Sequence, residues 1–328
     1  MQIKAGDGAG EGIWVDLGEI AERPGPYTMS YCFDLRALSE SINKIGLINP
    51  PLVARNERGD FDIVSGYRRI LALKALGEPK AFCRDVSSAF ASPAERLLAS
   101  FYENFATRKF NEIEKGMILQ RLQRYAGKEE ILVSFMPLLS LSSQEGTLEF
   151  YVKLVDLEEG LRKAIAQDQI SIKTAKALVE LDAASRKAVF SWIKNLKLNI
   201  NQQAKLLEYT HDISIRDEFT ISELFSEEAF LKILDDSRLN NPQKTKKILE
   251  ALRVRRHPQL SRAQHAVERV ISAVSLPPET VLRYDPYLEN PSYQLQIGFK
   301  DGKALRNTIR KLHGLVQLEA IPELWEVQ

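Results

Sequence analysis

The sequence predicts an α+β protein in three structured parts: a mixed N-terminal segment, an all-α middle and a small C-terminal α-β-β-α unit. Three observations carry this. Residues 1–110 alternate short β-rich runs with helical periodicity, residues 111–209 are helix-patterned throughout, and two β-rich runs lie between helical stretches near the C-terminus. With 328 residues, 44% hydrophobic and 27% charged, the chain is long enough for two or three domains and is neither collagenous nor wholly disordered.

In the first part, Leu35, Leu38, Ile42 and Ile45 give a helix over Leu35–Lys44 that stops at Gly46. A hairpin comes next, with strands Leu52–Arg55 and Phe61–Val64 around the turn Asn56–Asp60. Gly66 opens a helix, Tyr67–Leu76, that ends at Gly77; a strand near Ala81–Val86 and a helix from about Pro93 to Phe105 complete the segment. In the middle, Asn111 with Glu114 three residues on forms the capping box of a helix Glu112–Tyr125. A short helix at Ile131–Leu139, a turn through Ser140–Ser143 and a helix at Gly146–Leu157 stand in helix-turn-helix order, followed by helices Glu158–Gln167, Ser171–Leu181 and Ala183–Asn195. The interval His211–Asn241 is acidic and less regular and reads as a boundary. Beyond it come a basic helix Lys244–Arg256, a helix Ser261–Val274 with Ser261 as N-cap, strands Val281–Tyr284 and Ser292–Phe299, and a last helix Gly302–Val316. The expected division is 1–110, 111–210, a linker 211–243, and 244–328.

No apolar run reaches the roughly 18 residues of a membrane span, and Met1–Gly10 lacks the basic-then-apolar order of a signal peptide. A cytoplasmic protein without a membrane partner is expected. Cys32 and Cys83 read as ordinary thiols, and His211, His257, His265 and His313 lack metal-ligand spacing. Charge is uneven: residues 1–110 carry 14 basic and 14 acidic groups, 111–240 carry 17 and 21, and 241–328 carry 14 and 9. Only the last segment looks like a polyanion-binding surface.

Ser65-Gly66-Tyr67-Arg68-Arg69 is the strongest local signal. A glycine that permits close backbone approach, a helix N-terminus and two forked donors favour a phosphate, and a tight turn with solvated arginines is the alternative. Glu103-Asn104 at a helix end offers oxygen ligands to a magnesium ion or simply caps the helix. Lys244, Lys246, Lys247, Arg253, Arg255, Arg256 and Arg262 are the candidates for non-specific DNA contact, or form a solvated face.

Gly46-Leu47-Ile48-Asn49-Pro50-Pro51-Leu52-Val53, Gly66-Tyr67-Arg68-Arg69, Glu103-Asn104 and Phe110-Asn111-Glu112-Ile113-Glu114 resemble, in order and spacing, the consecutive boxes of the ParB partition-protein family. The resemblance covers about residues 14–210 and identifies the N-terminal part with the ParB/sulfiredoxin-like fold. It implies CTP and Mg2+ as cofactors of a dimeric DNA clamp, with Gly66, Tyr67, Arg68, Arg69, Glu103 and Asn104 at the nucleotide and Glu103 and Asn104 at the metal. It also implies a homodimer, a ParA-type ATPase partner and a nucleoid-associated location. The helix-turn-helix would meet DNA through Ser142, Ser143, Gln144, Thr147 and Lys153. Three departures bear on chemistry. Tyr67 stands where the family has glutamate, Thr28-Met29-Ser30-Tyr31 replaces a box that carries cations, and the arginine expected after Glu-Asn is shifted to Arg108. A phenol with a pKa near 10 activates water poorly at neutral pH, so weak or absent CTP hydrolysis is expected. Between Ile131 and Val152 there is no cation, while Glu145 and Glu149 would repel phosphates. The alternatives are a ParB-derived regulator or adaptor without a nucleotide cycle, and a nuclease on the same fold; the sulfiredoxin cysteine is absent, Tyr67 following Gly66.

Overall fold

The computed structural model describes residues 10–290, 292–321 and 323. The chain divides into two compact units, Met1–Phe190 and Ser191–Gln328. The first unit opens with β1 (Glu11–Asp16), α1 (Arg36–Ile45), β2 (Leu52–Arg55), β3 (Phe61–Ser65), α2 (Tyr67–Ala75), β4 (Lys80–Asp85) and α3 (Pro93–Thr107). The strands form one sheet in the order β1-β4-β2-β3, with β2 parallel to β4 and the other pairs antiparallel. β1 is a strand the sequence pattern did not reveal. Its alternation turns Val15 into the core and leaves Trp14 outside against Phe82 of β4. Val15, Val53, Ile63, Ile70, Leu73 and Cys83 are buried together between the sheet and α2, and burial pushes the Cys83 thiol up to about 11.

The rest of the unit is helical: α4 (Glu112–Leu122), α5 (Lys128–Glu130) continuing as a π-helical turn Ile131–Phe135, α6 (Glu145–Val155), α7 (Glu159–Ala166), α8 (Ile172–Glu180) and the first part of α9 (Ala183–Leu196), whose last residues belong to the second unit. The capping box at Asn111 forms as expected, and a second, Ser92 with Glu95, starts α3 behind Pro93. Phe101 of α3 is fully buried among the rings of Phe105, Phe110 and Phe135, centroids 5.7 to 6.2 Å away, which ties α3 to the head of α4 and to the π-helical turn. α4 and α6 touch at Gly116, where a Cβ would come within 2.3 Å of the Tyr151 carbonyl oxygen.

The second unit contains α10 (Ile200–Asp217), α11 (Ile221–Phe225), α12 (Glu228–Asp235), α13 (Asn241–Arg256), α14 (Pro258–Ala273), the antiparallel pair β5 (Thr280–Arg283) and β6 (Gln294–Ile297), α15 (Gly302–His313) and a 3-10 turn Val316–Ala320. Trp192 stacks on Phe225 at 3.8 Å and meets Phe230 edge-on. Two expectations are corrected. The acidic interval His211–Asn241 is not irregular, because α10 runs through its start and α11 and α12 occupy its centre. The capping boxes Asn199–Gln202 and Thr220–Glu223 start α10 and α11. Ser261 is not an N-cap: Pro258 starts α14 and Ser261 is buried inside it.

Candidate functional site

Gly66 sits at the N-cap of α2 with φ 91°, ψ 20°, a conformation that favours glycine. A Cβ there would also press on Pro51 and on the Arg69 guanidinium at 3.0 Å. This turn carries Arg68 and Arg69 to the end of β3, where they meet α3 and the head of α4. Arg69 donates to the Asn49 carbonyl (2.7 Å), the Pro50 carbonyl (3.3 Å) and Glu103 (2.8 Å). The other Glu103 oxygen accepts from the Ser65 hydroxyl.

Arg68 pairs with Glu114 at 2.8 Å, donates to Ser30 Oγ and lies over the Phe33 ring. Arg108 pairs with the second Glu114 oxygen at 2.6 Å and also donates to Asn104 Oδ1, the Met29 carbonyl and Ser30 Oγ. Glu114 is 1% exposed and accepts two backbone N–H bonds besides, from Tyr31 and Asn111. Burial, and then the Arg108 charge beside it, pulls the Arg68 pKa below the usual arginine value. The shifted arginine of the sequence is thus inside the cluster: α3 ends at Thr107, and extended backbone at Arg108 (φ −156°, ψ 163°) sends the side chain back. It also brings a cation to the Thr28–Ser30 segment, whose own residues have none.

These groups surround a cavity of about 330 Å³, lined by Thr28, Ser30, Gly66, Arg68, Arg69, Glu103, Asn104 and Arg108 among others. The volume lies within the range of small-ligand pockets. The predicted Gly66, Tyr67, Arg68, Arg69, Glu103 and Asn104 all line it, and so do Ser30 and Arg108, which the sequence marks only as departures from the family's boxes, together with Thr107. Tyr67 is buried, donates its hydroxyl to the Glu22 carbonyl at 2.5 Å and meets Phe33 edge-on. Burial raises its pKa further, so it offers no base.

Among the described residues, no group of three or more His, Cys, Asp or Glu could hold a metal ion. Asn104 Oδ1 accepts from Arg108, and Glu103 is the one carboxylate lining the cavity. This donor set fits a magnesium ion brought in with phosphate oxygens, and does not fit one held by the protein alone.

The DNA candidates lie elsewhere. Ser142, Ser143 and Gln144 are exposed in the turn before α6, with Ser142 Oγ bonded to Thr147 Oγ1 at 2.8 Å. Glu145 pairs with Lys128 at 2.9 Å, and Lys153 is exposed 3.8 Å from Glu180. α8 packs on α6 and adds Lys173 and Lys176, the latter over the Phe150 ring, so cations reach this motif from a helix the local count omitted. On α13 the charge count overstated the free cations. Arg253 pairs with Glu250, Arg255 with Asp217 and Glu227, and Arg256 with Glu208 and Asp212. Lys244 donates to the Leu234 carbonyl. Lys246, Lys247 and Arg262 are exposed.

A model of the ParB N-terminal domain matches residues 21–94. Over 199 residues the chain is 29% identical to the probable chromosome-partitioning protein ParB of Campylobacter jejuni, covering 59% of this chain and 67% of that one. The Helicobacter pylori protein of the same name is 26% identical over 199 residues (58% and 64%), and the nucleoid occlusion protein of Bacillus licheniformis 26% over 172 residues (51% and 57%). The chain thus spans about two thirds or less of these relatives. Among solved structures, C-terminally truncated ParB of Caulobacter crescentus complexed with CTP-γ-S is 19% identical, covering 52% of this chain and 92% of that one at a TM-score of 0.27. The same protein complexed to the centromeric parS site is 16% identical, covering 60% and 98% at 0.33. Residues 21–94 thus match the ParB N-terminal domain, and over somewhat more than half of its length the chain is similar to ParB partition proteins, with under a third of the aligned residues identical.

Proposed function

We propose that the chain is a DNA-binding partition-type protein whose N-terminal domain binds a nucleoside triphosphate, CTP being the one the family resemblance implies. The observation that carries this is the convergence of Arg68, Arg69 and Arg108 on one cavity at the Gly66 turn. Arg68 and Arg69 hold the phosphates, Gly66 lets them approach, and Glu103 is the protein's ligand to an accompanying Mg2+. With Tyr67 tied to the Glu22 carbonyl and high in pKa, water is not activated there and hydrolysis is slow. The turn before α6, with Lys153, Lys173 and Lys176 around it, faces DNA. The C-terminal module, with Leu295, Phe299 and Ile309 exposed, joins two copies, and a ParA-type ATPase and a place on the nucleoid belong to the same reading.

A second reading has its own observation: each of the three guanidiniums already has a carboxylate partner, as in a purely structural hub. Calorimetry on Arg69→Ala separates the two. A charge-assisted bond is worth about 1.5–3 kcal/mol, so loss of a phosphate contact weakens CTP binding roughly ten- to a hundredfold. Unchanged affinity in a folded Arg69→Ala protein leaves the structural hub as the correct reading.

A further inference from the structure

The second unit holds a cavity that the nucleotide reading does not use. It lies between α10 and α13, measures about 380 Å³, and is lined by Asn201, Lys205 and Tyr209 from α10 and by Lys246, Glu250 and Arg253 from α13, among others. The helices pack through Leu206, Ile213, Ile248 and Leu252, all fully or nearly buried, so its walls are fixed. Both helix N-termini are closed by their own capping boxes, Asn199 with Gln202 and Asn240 with Gln243. The positive character of the cleft therefore comes from side chains. Glu250 is neutralised by Arg253 at 2.7 Å, and Gln264 holds Arg253 from the other side at 2.8 Å. Lys205 and Lys246, one from each helix, are exposed and form no salt bridge among the described residues. This is where α13 differs from its own C-terminal half, whose Arg255 and Arg256 are taken up by carboxylates.

We infer that this cleft seats a phosphate of a nucleic-acid backbone between Lys205 and Lys246, making it a DNA contact separate from the helix-turn-helix. Lys247, exposed one residue on, lies about 100° round α13 from Lys246, beside Asp236 and outside the cleft, so the cleft offers a place for one phosphate, and the DNA-binding reading makes that a backbone phosphate. The inference deepens the DNA-binding reading, on which it rests, and is independent of the nucleotide cavity.

The test is fluorescence anisotropy of a labelled random-sequence duplex with the full chain and with the double variant Lys205→Gln/Lys246→Gln, from about 50 to 200 mM salt. Each phosphate neutralised contributes about 0.9 to the magnitude of the log K against log salt slope, so losing the one phosphate seated in the cleft lowers it by about 0.9. Over that roughly fourfold salt range the wild type then loses about three- to fourfold more affinity than the variant. Lys232→Gln, whose lysine already pairs with Glu228, keeps the wild-type slope. An unchanged slope in the double variant overturns the inference, as does absence of duplex binding by the wild type at the lowest salt. Inorganic phosphate competing as well as duplex at equal phosphate concentration overturns the nucleic-acid assignment. CTP affinity is measured alongside: it stays the same in the double variant, so failure here and failure of the nucleotide reading give different results.

Discussion

Replacing Glu114 by alanine should destabilise the first unit by about 3–5 kcal/mol, the range for removing one member of a buried ion pair. The magnitude comes from the bonds the carboxylate makes. It accepts from Arg68 at 2.8 Å and Arg108 at 2.6 Å, and from the backbone N–H groups of Tyr31 and Asn111 at 3.0 and 3.1 Å. Two charge-assisted bonds alone are worth about 3–6 kcal/mol in sum. The guanidiniums are 31% and 18% exposed and regain some water, which places the expectation at the lower end. Alanine would also leave Arg68 and Arg108 repelling each other, whereas Glu114→Gln retains an acceptor and the capping bond and should cost about half as much. Hydrogen exchange of peptides from α4 across a urea series reports this unit rather than the C-terminal one. A loss below about 1 kcal/mol for Glu114→Ala would show that the cluster does not hold α2, α3 and α4 together.

Gly116→Ala drives a Cβ against the Tyr151 carbonyl, a backbone atom that cannot rotate away, and should cost about 1–3 kcal/mol in a thermal melt of the same unit; a neutral result would mean that α4 and α6 are not in contact there. Glu158 at the head of α7 accepts three bonds from Arg186, which hold its carboxyl below the usual 4.5. Because the folded pKa is depressed, its contribution is present above pH 4.5 and is lost as pH falls through the lowered value. Half-exposed, it should contribute under about 1 kcal/mol. The stability difference between wild type and Glu158→Gln should be present near neutral pH and disappear as pH falls through the lowered pKa of Glu158; a difference that grows on acidification would reverse the sign of the linkage.

The Gly66 turn with its two arginines was legible in the sequence because its signals are local. Gly66 must adopt a positive φ, the arginines come directly after it, and the Asn111 and Glu114 pair announces its own helix start. The hidden features depend on chain paths and distant partners. Arg108 is one position late on a helical count and reaches the cavity because α3 stops at Thr107. Glu114 was legible as a capping residue, while its second role needs Arg68, 46 residues earlier, to be brought alongside. The basic helix failed as a count of charge for the same reason: the partners of Arg255 and Arg256 lie 28 to 48 residues away. The helices inside the acidic interval were missed although a capping box at Thr220 and Glu223 stood in it, because charge density was weighed above periodicity.

Whether Arg68, Arg69 and Arg108 form a nucleotide-phosphate site is decided by titration calorimetry of the intact chain with CTP, ATP and GTP, with and without Mg2+. Saturable binding of CTP that strengthens with Mg2+ through Glu103 is the expected result. Absence of binding by all three nucleotides under both conditions would contradict it, and the cluster would then be a structural tie between α2, α3 and α4.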